Sequence, residues 1–498
     1  MAPLTLAAIG DSLTQGFRSG SIHDTGWSFP AIVARALGLR VPLDFRVPRI
    51  PGPGLPLNLE DLLRRAEEKL GADVSLAEWL LEFPRFAHDY IDRLEDYYER
   101  GAGAPPPKFR GVYHNLAVWG FTANEGTTLH SRLCDQVIEE EEGWIEDDFL
   151  GTPSAPMYRT ARRVLNPGDD AERATETQVK TLARLAAESR AAGSGIDALL
   201  LWLGANDALG TVLTLEVRDM ADEAKAIPKH PVKRLAWNLT SEEQFEADVR
   251  ALVAGVSAAL AGSATRIFVG TVPHVTIPPL TTGVGHFDGK YFDHYARFFV
   301  SQENFQPLLH KALSRAQAEL IDARIDAFNA ILSSAVDDAN AAEAQRRARN
   351  RLSWHRVDCC RVLDELAVKR QGLTDQPEQA LVRYYAKRGV TDHPLLRLSP
   401  IPSILKLQTD AHGRRTGGGL MSLDGVHPST IGYGLVAEVF LAEMQQAGVP
   451  DADPARVPWA EVIANDPVLQ RPPRLWDDVL QAGANHATLW DLIFRVMA

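Results

Sequence analysis

The chain has 498 residues, 45% hydrophobic and 23% charged, an ordinary globular balance that excludes disordered, collagen-like and disulfide-scaffold classes. That length corresponds to about three domains at ~150 residues each and can bury a large core without metals or disulfides. The formal net charge of −13 would repel a phosphate backbone and argues against nucleic acid as a partner.

Taken in chain order, strand-like apolar runs alternate with helix-period segments, the pattern of an α/β fold with a parallel sheet. The first strand is predicted at residues 4–9, followed by a loop and a helix near 28–37. A second strand is expected at 111–118 and a third at 196–203, the latter after a helix with Val179, Leu182, Ala183 and Ala186 on one face. A fourth, 266–271, follows a helix that Thr240 would cap, with Glu243 in capping-box spacing. A fifth, 354–359, follows a long helix whose core face is read as Leu313, Leu320, Ile321, Ile325, Phe328 and Leu332.

Three intervening segments are too long for simple loops. Residues 49–108 open on a Pro/Gly turn, continue as two helices rich in Leu, Trp, Phe and Tyr, and end in a Gly/Ala/Pro linker. Residues 275–305 and 371–420 read as irregular, aromatic or Gly/Pro-punctuated stretches, and loops of such length are usually functional or carry their own structure. The odd count of three cysteines, Cys134, Cys359 and Cys360, fits buried thiols in a reducing compartment better than a vicinal disulfide or soft-metal site. The apolar run at 4–9 lacks a basic flank and is shorter than a signal-peptide core. The uncharged stretch 251–265 falls short of the ~18–20 residues of a membrane span. A soluble, cytoplasmic protein without an integral membrane segment is therefore expected, with secretion through a removed upstream signal as the alternative.

Four short patterns sit where parallel strands should end, which is where ligands bind in open α/β sheets. In Gly10-Asp11-Ser12-Leu13 the serine opens a helix after the first strand; read alone it is a turn or a nucleophile. In Gly204-Ala205-Asn206-Asp207 the Asn206 amide can donate to a developing oxyanion, or the pair can form an Asx-turn or helix cap. In Asp424-Gly425-Val426-His427-Pro428 the carboxylate can accept one imidazole N–H and leave the other nitrogen as a base, although an ordinary turn also fits. Gly120, in Trp119-Gly120-Phe121, can bring a backbone N–H close to a substrate, or simply turn the chain.

Together and in this order the four patterns resemble the GDSL or SGNH hydrolase family. The resemblance implies a flavodoxin-like, three-layer α/β/α fold with a five-stranded parallel sheet, here carrying large helical insertions. It implies Ser12 as nucleophile, His427 as general base and acid, Asp424 as the group orienting His427, and an oxyanion hole from Ser12, Gly120 and Asn206. Asp11, Trp119 and Phe121, which flank these residues, are further substrate-binding candidates. The chain carries no G-x-S-x-G elbow, which argues against an α/β-hydrolase, and no H-E-x-x-H or P-loop signature.

The bland reading is preferred at the remaining polar clusters. His286, Asp288, Asp293 and His294 read as a surface loop rather than a metal site, and the acidic residues 139–142 and 146–148 as a solvated face rather than a Ca²⁺ site. His274, just past the fourth strand, is a loop residue that can also line the site.

The expectation is a serine ester hydrolase acting on a small-molecule or lipid-like ester, with no cofactor and no metal. A carbohydrate deacetylase or acyltransferase using the same residues, or a binding protein on the same scaffold, are the alternatives; the oligomeric state is not legible. Because Ser12 must meet His427, residues 1–449 are read as one catalytic domain with insertions at 49–108, 275–305 and 371–420, and 450–498 as a helical extension. The insertion 49–108, with Trp79, Leu80, Phe83 and Phe86, is expected either to cap Ser12 with an apolar pocket or to add core packing.

Overall fold

The computed structural model describes residues 4–71, 76–142, 155–222, 231–346, 350–410 and 412–485, with side chains described for all but 76–81, 141–142 and 481–485. In chain order the strands used below are β1 (Leu6–Gly10), β2 (Ser21–Ile22), β3 (Leu55–Pro56), β4 (Ala198–Trp202), β5 (Arg266–Gly270), β6 (Thr281–Phe287), β7 (Phe292–Arg297), β8 (Ala312–Ser314) and β9 (Ser353–Val357).

β1, β4, β5 and β9 form a parallel sheet in the order β1-β4-β5-β9. Successive side chains of a strand point to opposite faces, so the continuous apolar runs of β1 and β4 serve two cores. Ala7, Ile9, Leu199, Leu201, Ile267 and Val269 join one core, which also holds apolar residues of helices Gln178–Ala191, Glu242–Ala259 and Arg315–Gln345. Leu6, Ala8, Leu200, Trp202 and Phe268 join the other, shared with helices Phe29–Ala36, Cys359–Leu366 and Thr430–Gln446.

The expected second strand is corrected. Residues 111–118 run beside β1 and exchange hydrogen bonds with it, Ala8 N–H to His114 O at 2.8 Å and Leu116 N–H to Ala8 O at 2.8 Å, but form a single parallel bridge and no strand. The Gln178 side chain occupies the place of the next ladder bond: its Nε2 donates to Leu116 O and to Gly10 O, each at 2.9 Å, so the Leu116 carbonyl is taken by a side chain. The described sheet therefore has four strands rather than five.

Three smaller expectations also change. Ser241, not Thr240, caps helix Glu242–Ala259 by accepting from Gln244 N–H, while the Thr240 hydroxyl donates to Asp207. Leu320 is 41% exposed and lies off the core face of its helix, and Leu313 belongs to β8. Residues 275–305 are not irregular: they supply β6 and β7, which continue to β8 in an antiparallel sheet.

In the 49–108 segment, β3 pairs with β2, and helices Leu59–Leu70 and Leu76–Glu99 follow. Phe83 and Phe86 are each 4% exposed and belong to the same core as Ile9 and Leu201; the side chains of Trp79 and Leu80 fall outside the described residues. The segment thus contributes core packing. After residue 450, helices Trp459–Ala464 and Trp476–Asn485 follow, with the buried Trp476 indole donating to Leu407 O at 3.0 Å. No described helix is long and apolar enough to cross a membrane. Glu139 and Glu140 are exposed, as a solvated face requires, and residues 146–148 lie outside the described residues.

Candidate active site

β1 ends against β4 at a glycine for a steric reason: a Cβ on Gly10 would stand 2.5 Å from Trp202 O. Asp11 then caps the short helix Ser12–Gln15 by accepting from Leu13 N–H at 3.0 Å. Ser12 takes the first helical position, where the backbone N–H has no intrahelical acceptor.

At the far end of the chain, residues 424–427 form a tight turn in which Gly425 adopts φ +69° and Ser422 N–H closes on His427 O at 2.8 Å. Helix Thr430–Gln446 starts directly behind it, capped by Ser429. The two ends meet: His427 Nε2 lies 3.0 Å from Ser12 Oγ across 415 residues of sequence, and His427 Nδ1 lies 3.1 Å from Asp424 Oδ2. Asp424 is fully buried, and its carboxylate accepts from the backbone N–H of Val426 and His427 at 2.9 and 2.8 Å and from Gly20 N–H at 2.9 Å. Burial alone would raise its pKa; the His427 ring and these N–H donors outweigh that and hold it below the usual carboxylate range. The carboxylate is thus kept charged beside an imidazole whose other nitrogen faces a serine hydroxyl, an arrangement able to draw a proton from Ser12.

Gly120 sits at φ +79°, a conformation that favours glycine, in a turn held beside β1 by Val118 N–H to Gly10 O at 3.1 Å. Gly204 at φ +119° makes a parallel turn after β4, where a Cβ would stand 2.6 Å from Val272. Asn206 donates from Nδ2 to Phe121 O at 2.8 Å, which fixes its amide and leaves the second amide hydrogen for another acceptor. Asp207 accepts from Ala123 N–H at 3.0 Å, so residues 206–207 are tied to the turn that holds Gly120.

Two of the flanking candidates are corrected. Asp11 and Phe121 are fully buried and present no side-chain surface to a ligand: Asp11 acts as the helix cap, and Phe121 contributes its carbonyl to Asn206. Trp119 is 5% exposed, donates its indole N–H to Thr160 at 3.0 Å and packs on Phe17, whose ring in turn lies 4.5 Å from that of His427. It backs the His427 ring at second hand.

Burial pushes the Asp11 carboxyl up to about 8 and that of Asp207 up to about 7, and the proximity of Asp207 adds to the rise at Asp11. Asp11 Oδ2 has no hydrogen-bond partner among the described residues, so a neutral carboxyl suits its surroundings.

An apolar cavity opens beside Ser12 and His427, with about 920 Å³ of space counting its mouth. Its walls include Trp202, Val362, Leu366, Met421, Leu435 and Val439, and none of its lining residues comes from 49–108. Sequence reading missed this cavity; the Gly432, Leu435, Val436, Val439 spacing on one helix was the available signal.

His274 lines the cavity too. Its Nδ1 faces Asp364 at 2.9 Å and Cys360 Sγ at 3.5 Å, and its Nε2 faces Asp326 at 3.2 Å. His274, Cys360 and Asp364 have a geometry that could hold a metal ion, but the Arg370 guanidinium already stands 3.4 Å from Nδ1 and 3.6 Å from Asp364. The group is a closed ion-pair network. Burial opposes a charge on His274, yet Asp364, Cys360 and Asp322 outweigh it and lift the imidazole to about 10. The loop around Asp288 and Asp293 is likewise closed by Arg315, which pairs with both carboxylates. All three cysteines are buried free thiols.

A search of the curated proteins and of the solved structures returns no match. The family model of GDSL-like lipase/acylhydrolases matches residues 6–440, which spans Ser12, Gly120, Asn206, Asp424 and His427. With its serine after the first strand and its histidine turn before the last long helix of the matched region, the chain belongs to the GDSL-like lipase/acylhydrolase family.

Proposed function

We propose that the protein hydrolyses carboxylic esters through an acyl-enzyme on Ser12. The observation that carries this reading is the hydrogen-bonded chain Ser12–His427–Asp424, closed at 3.0 and 3.1 Å, with Asp424 fully buried and Ser12 and His427 at the cavity. Ser12 Oγ attacks the ester carbonyl carbon as its proton passes to His427 Nε2, and Asp424 stabilises the imidazolium that results. The backbone N–H groups of Ser12 and Gly120 and the second amide hydrogen of Asn206 receive the oxyanion. Collapse of the tetrahedral intermediate breaks the bond to the alcohol oxygen, which takes the proton from His427. Water then repeats the sequence on the acyl-enzyme and returns Ser12. The acyl group occupies the apolar cavity, whose walls offer carbon to a ligand almost everywhere beyond Ser12 and His427.

A fluorophosphonate probe tests the nucleophile directly. Covalent labelling of the full chain, lost in Ser12→Ala, is the expected result; an unlabelled wild-type protein would overturn the reading.

A further inference from the structure

The insertion 49–108 reaches the reacting groups from behind, through the hairpin that follows helix Ser12–Gln15. Arg18 and Ser21 exchange both backbone hydrogen bonds, at 3.0 and 3.1 Å, around Ser19 and Gly20 at φ +50° and +81°. Two consecutive positive φ values in a two-residue loop mark a type I′ turn, and a non-glycine residue at the first of them is strained unless its surroundings hold it. The turn aims both of its central N–H groups at the histidine turn. Ser19 N–H donates to Ser422 Oγ at 2.8 Å, and Gly20 N–H donates to Asp424 Oδ2 at 2.9 Å, on the same oxygen that faces His427 Nδ1.

The insertion fixes this turn at three points. Leu57 N–H donates to Gly20 O at 3.2 Å and Leu59 N–H to Ser19 O at 2.9 Å. The third is a side-chain contact: the Ser19 hydroxyl donates to Glu60 Oε1 at 2.6 Å and accepts from Leu423 N–H at 3.3 Å. Glu60 is buried in the first turn of helix Leu59–Leu70, where the helix dipole favours a carboxylate, and Arg64 stands 3.7 Å away. The charged groups around it are Arg18, Arg64 and Asp466. Arg18 also donates to Thr430 Oγ1 at 3.2 Å, so the hairpin is pinned to the helix behind His427 as well.

We infer that Glu60 is a positioning residue for the reaction: by fixing the Ser19 hydroxyl it sets the turn whose Gly20 N–H holds the Asp424 carboxylate in line with His427. The inference rests on the ester-hydrolase reading and assigns the insertion a part in it, as a brace for the acid. The hydroxyl can serve Leu423 N–H as acceptor because its own hydrogen is committed to Glu60. Without that carboxylate the hydroxyl rotates freely and the strained Ser19 loses one of its holds. Asp424 Oδ2 then drifts from His427 Nδ1, and the imidazolium formed in the reaction is less well stabilised.

The test compares the full-length wild type with Glu60→Ala, Glu60→Gln, Ser19→Ala and the double variant Ser19→Ala/Glu60→Ala on a p-nitrophenyl ester. Glu60→Ala and Ser19→Ala are each expected to lower kcat by about tenfold with KM nearly unchanged. The double variant is expected to be no worse than either, because both break the same link. Glu60→Gln keeps an acceptor for Ser19 and restores most of the rate. With His427 losing part of its carboxylate partner, the acidic limb of kcat/KM moves to lower pH in Glu60→Ala, which a general loss of stability would not produce. The His427 Nδ1 proton resonance reads the same contact without turnover and is expected to shift in both single variants. Wild-type kcat, limb and resonance in folded Glu60→Ala and Ser19→Ala, or additive losses in the double variant, would overturn the role of Glu60. If Glu60→Ala does not fold, Ser19→Ala and Glu60→Gln decide by the same criteria. A wild-type protein that neither turns over esters nor takes up fluorophosphonate strikes the hydrolase reading instead, and the resonance still decides the brace.

Discussion

The cavity beside Ser12 makes acyl-chain length the most informative substrate variable. Helix Thr430–Gln446 begins three residues after His427 and places Gly432, Leu435, Val436 and Val439 along the cavity wall. At ~1.5 Å rise per residue, Gly432 to Val439 spans about 10 Å. An extended chain advances ~1.2 Å per bond, so that wall accommodates about eight carbons. Each methylene moved from water into an apolar site contributes about 0.8 kcal/mol, close to a fourfold gain in kcat/KM. A p-nitrophenyl ester series is therefore expected to climb from acetate to about octanoate, gaining roughly two orders of magnitude from butyrate onward, and then to level off. Val436→Trp puts an indole across the cavity four residues beyond Gly432, about 6 Å along the helix. The optimum should fall to about four or five carbons while the acetate rate stays near wild type. A flat wild-type series, or a Val436→Trp profile that overlays the wild type, would refute the assignment of this cavity to the acyl chain. A steep dependence on the alcohol at constant acyl group would place the leaving group there instead.

Asn206→Ala removes the amide proposed to receive the oxyanion and should lower kcat by about 10²–10³-fold with little change in KM, measured on the best ester of the series. The same variant also unties Phe121 O, so its thermal midpoint, followed by circular dichroism, is expected to fall modestly. Asp11 has a raised pKa in the folded state, so the fold holds a proton that the unfolded chain releases above its ordinary value of 3.8. Stability linked to this group is full below that value and declines as pH rises toward about 8. Asp11→Asn keeps the acceptor for Leu13 N–H and should flatten the decline of Tm over that range; an unchanged slope would show that Asp11 does not carry it.

Local chemistry was legible because it is written in short spans. An apolar strand ending in Gly10, a carboxylate three residues before His427, and an asparagine after Gly204 each also fit an ordinary turn when read alone, and it is their order along the chain that points to the family. The buried side chains of Asp11 and Phe121 were not legible, because burial depends on elements distant in sequence. The missing fifth strand goes with the Gln178 side chain, which reaches from a helix distant in sequence to hold Leu116 O, and apolar content alone does not register such competition.

The role of the insertion separates the two levels most clearly. Sequence could mark 49–108 as helical and apolar, and it could require Ser12 and His427 to meet, since the proposed reaction needs both groups. Tertiary structure decided what the added length does: Phe83 and Phe86 enter the common core, the cavity wall comes from helices Cys359–Leu366 and Thr430–Gln446, and Glu60 meets Ser19 behind Asp424. The physical reason is range. Periodicity and turn chemistry act over a few residues, whereas the contact between Ser12 and His427 and the wall of a cavity are set by how the sheet and its helices pack, across hundreds of residues of chain.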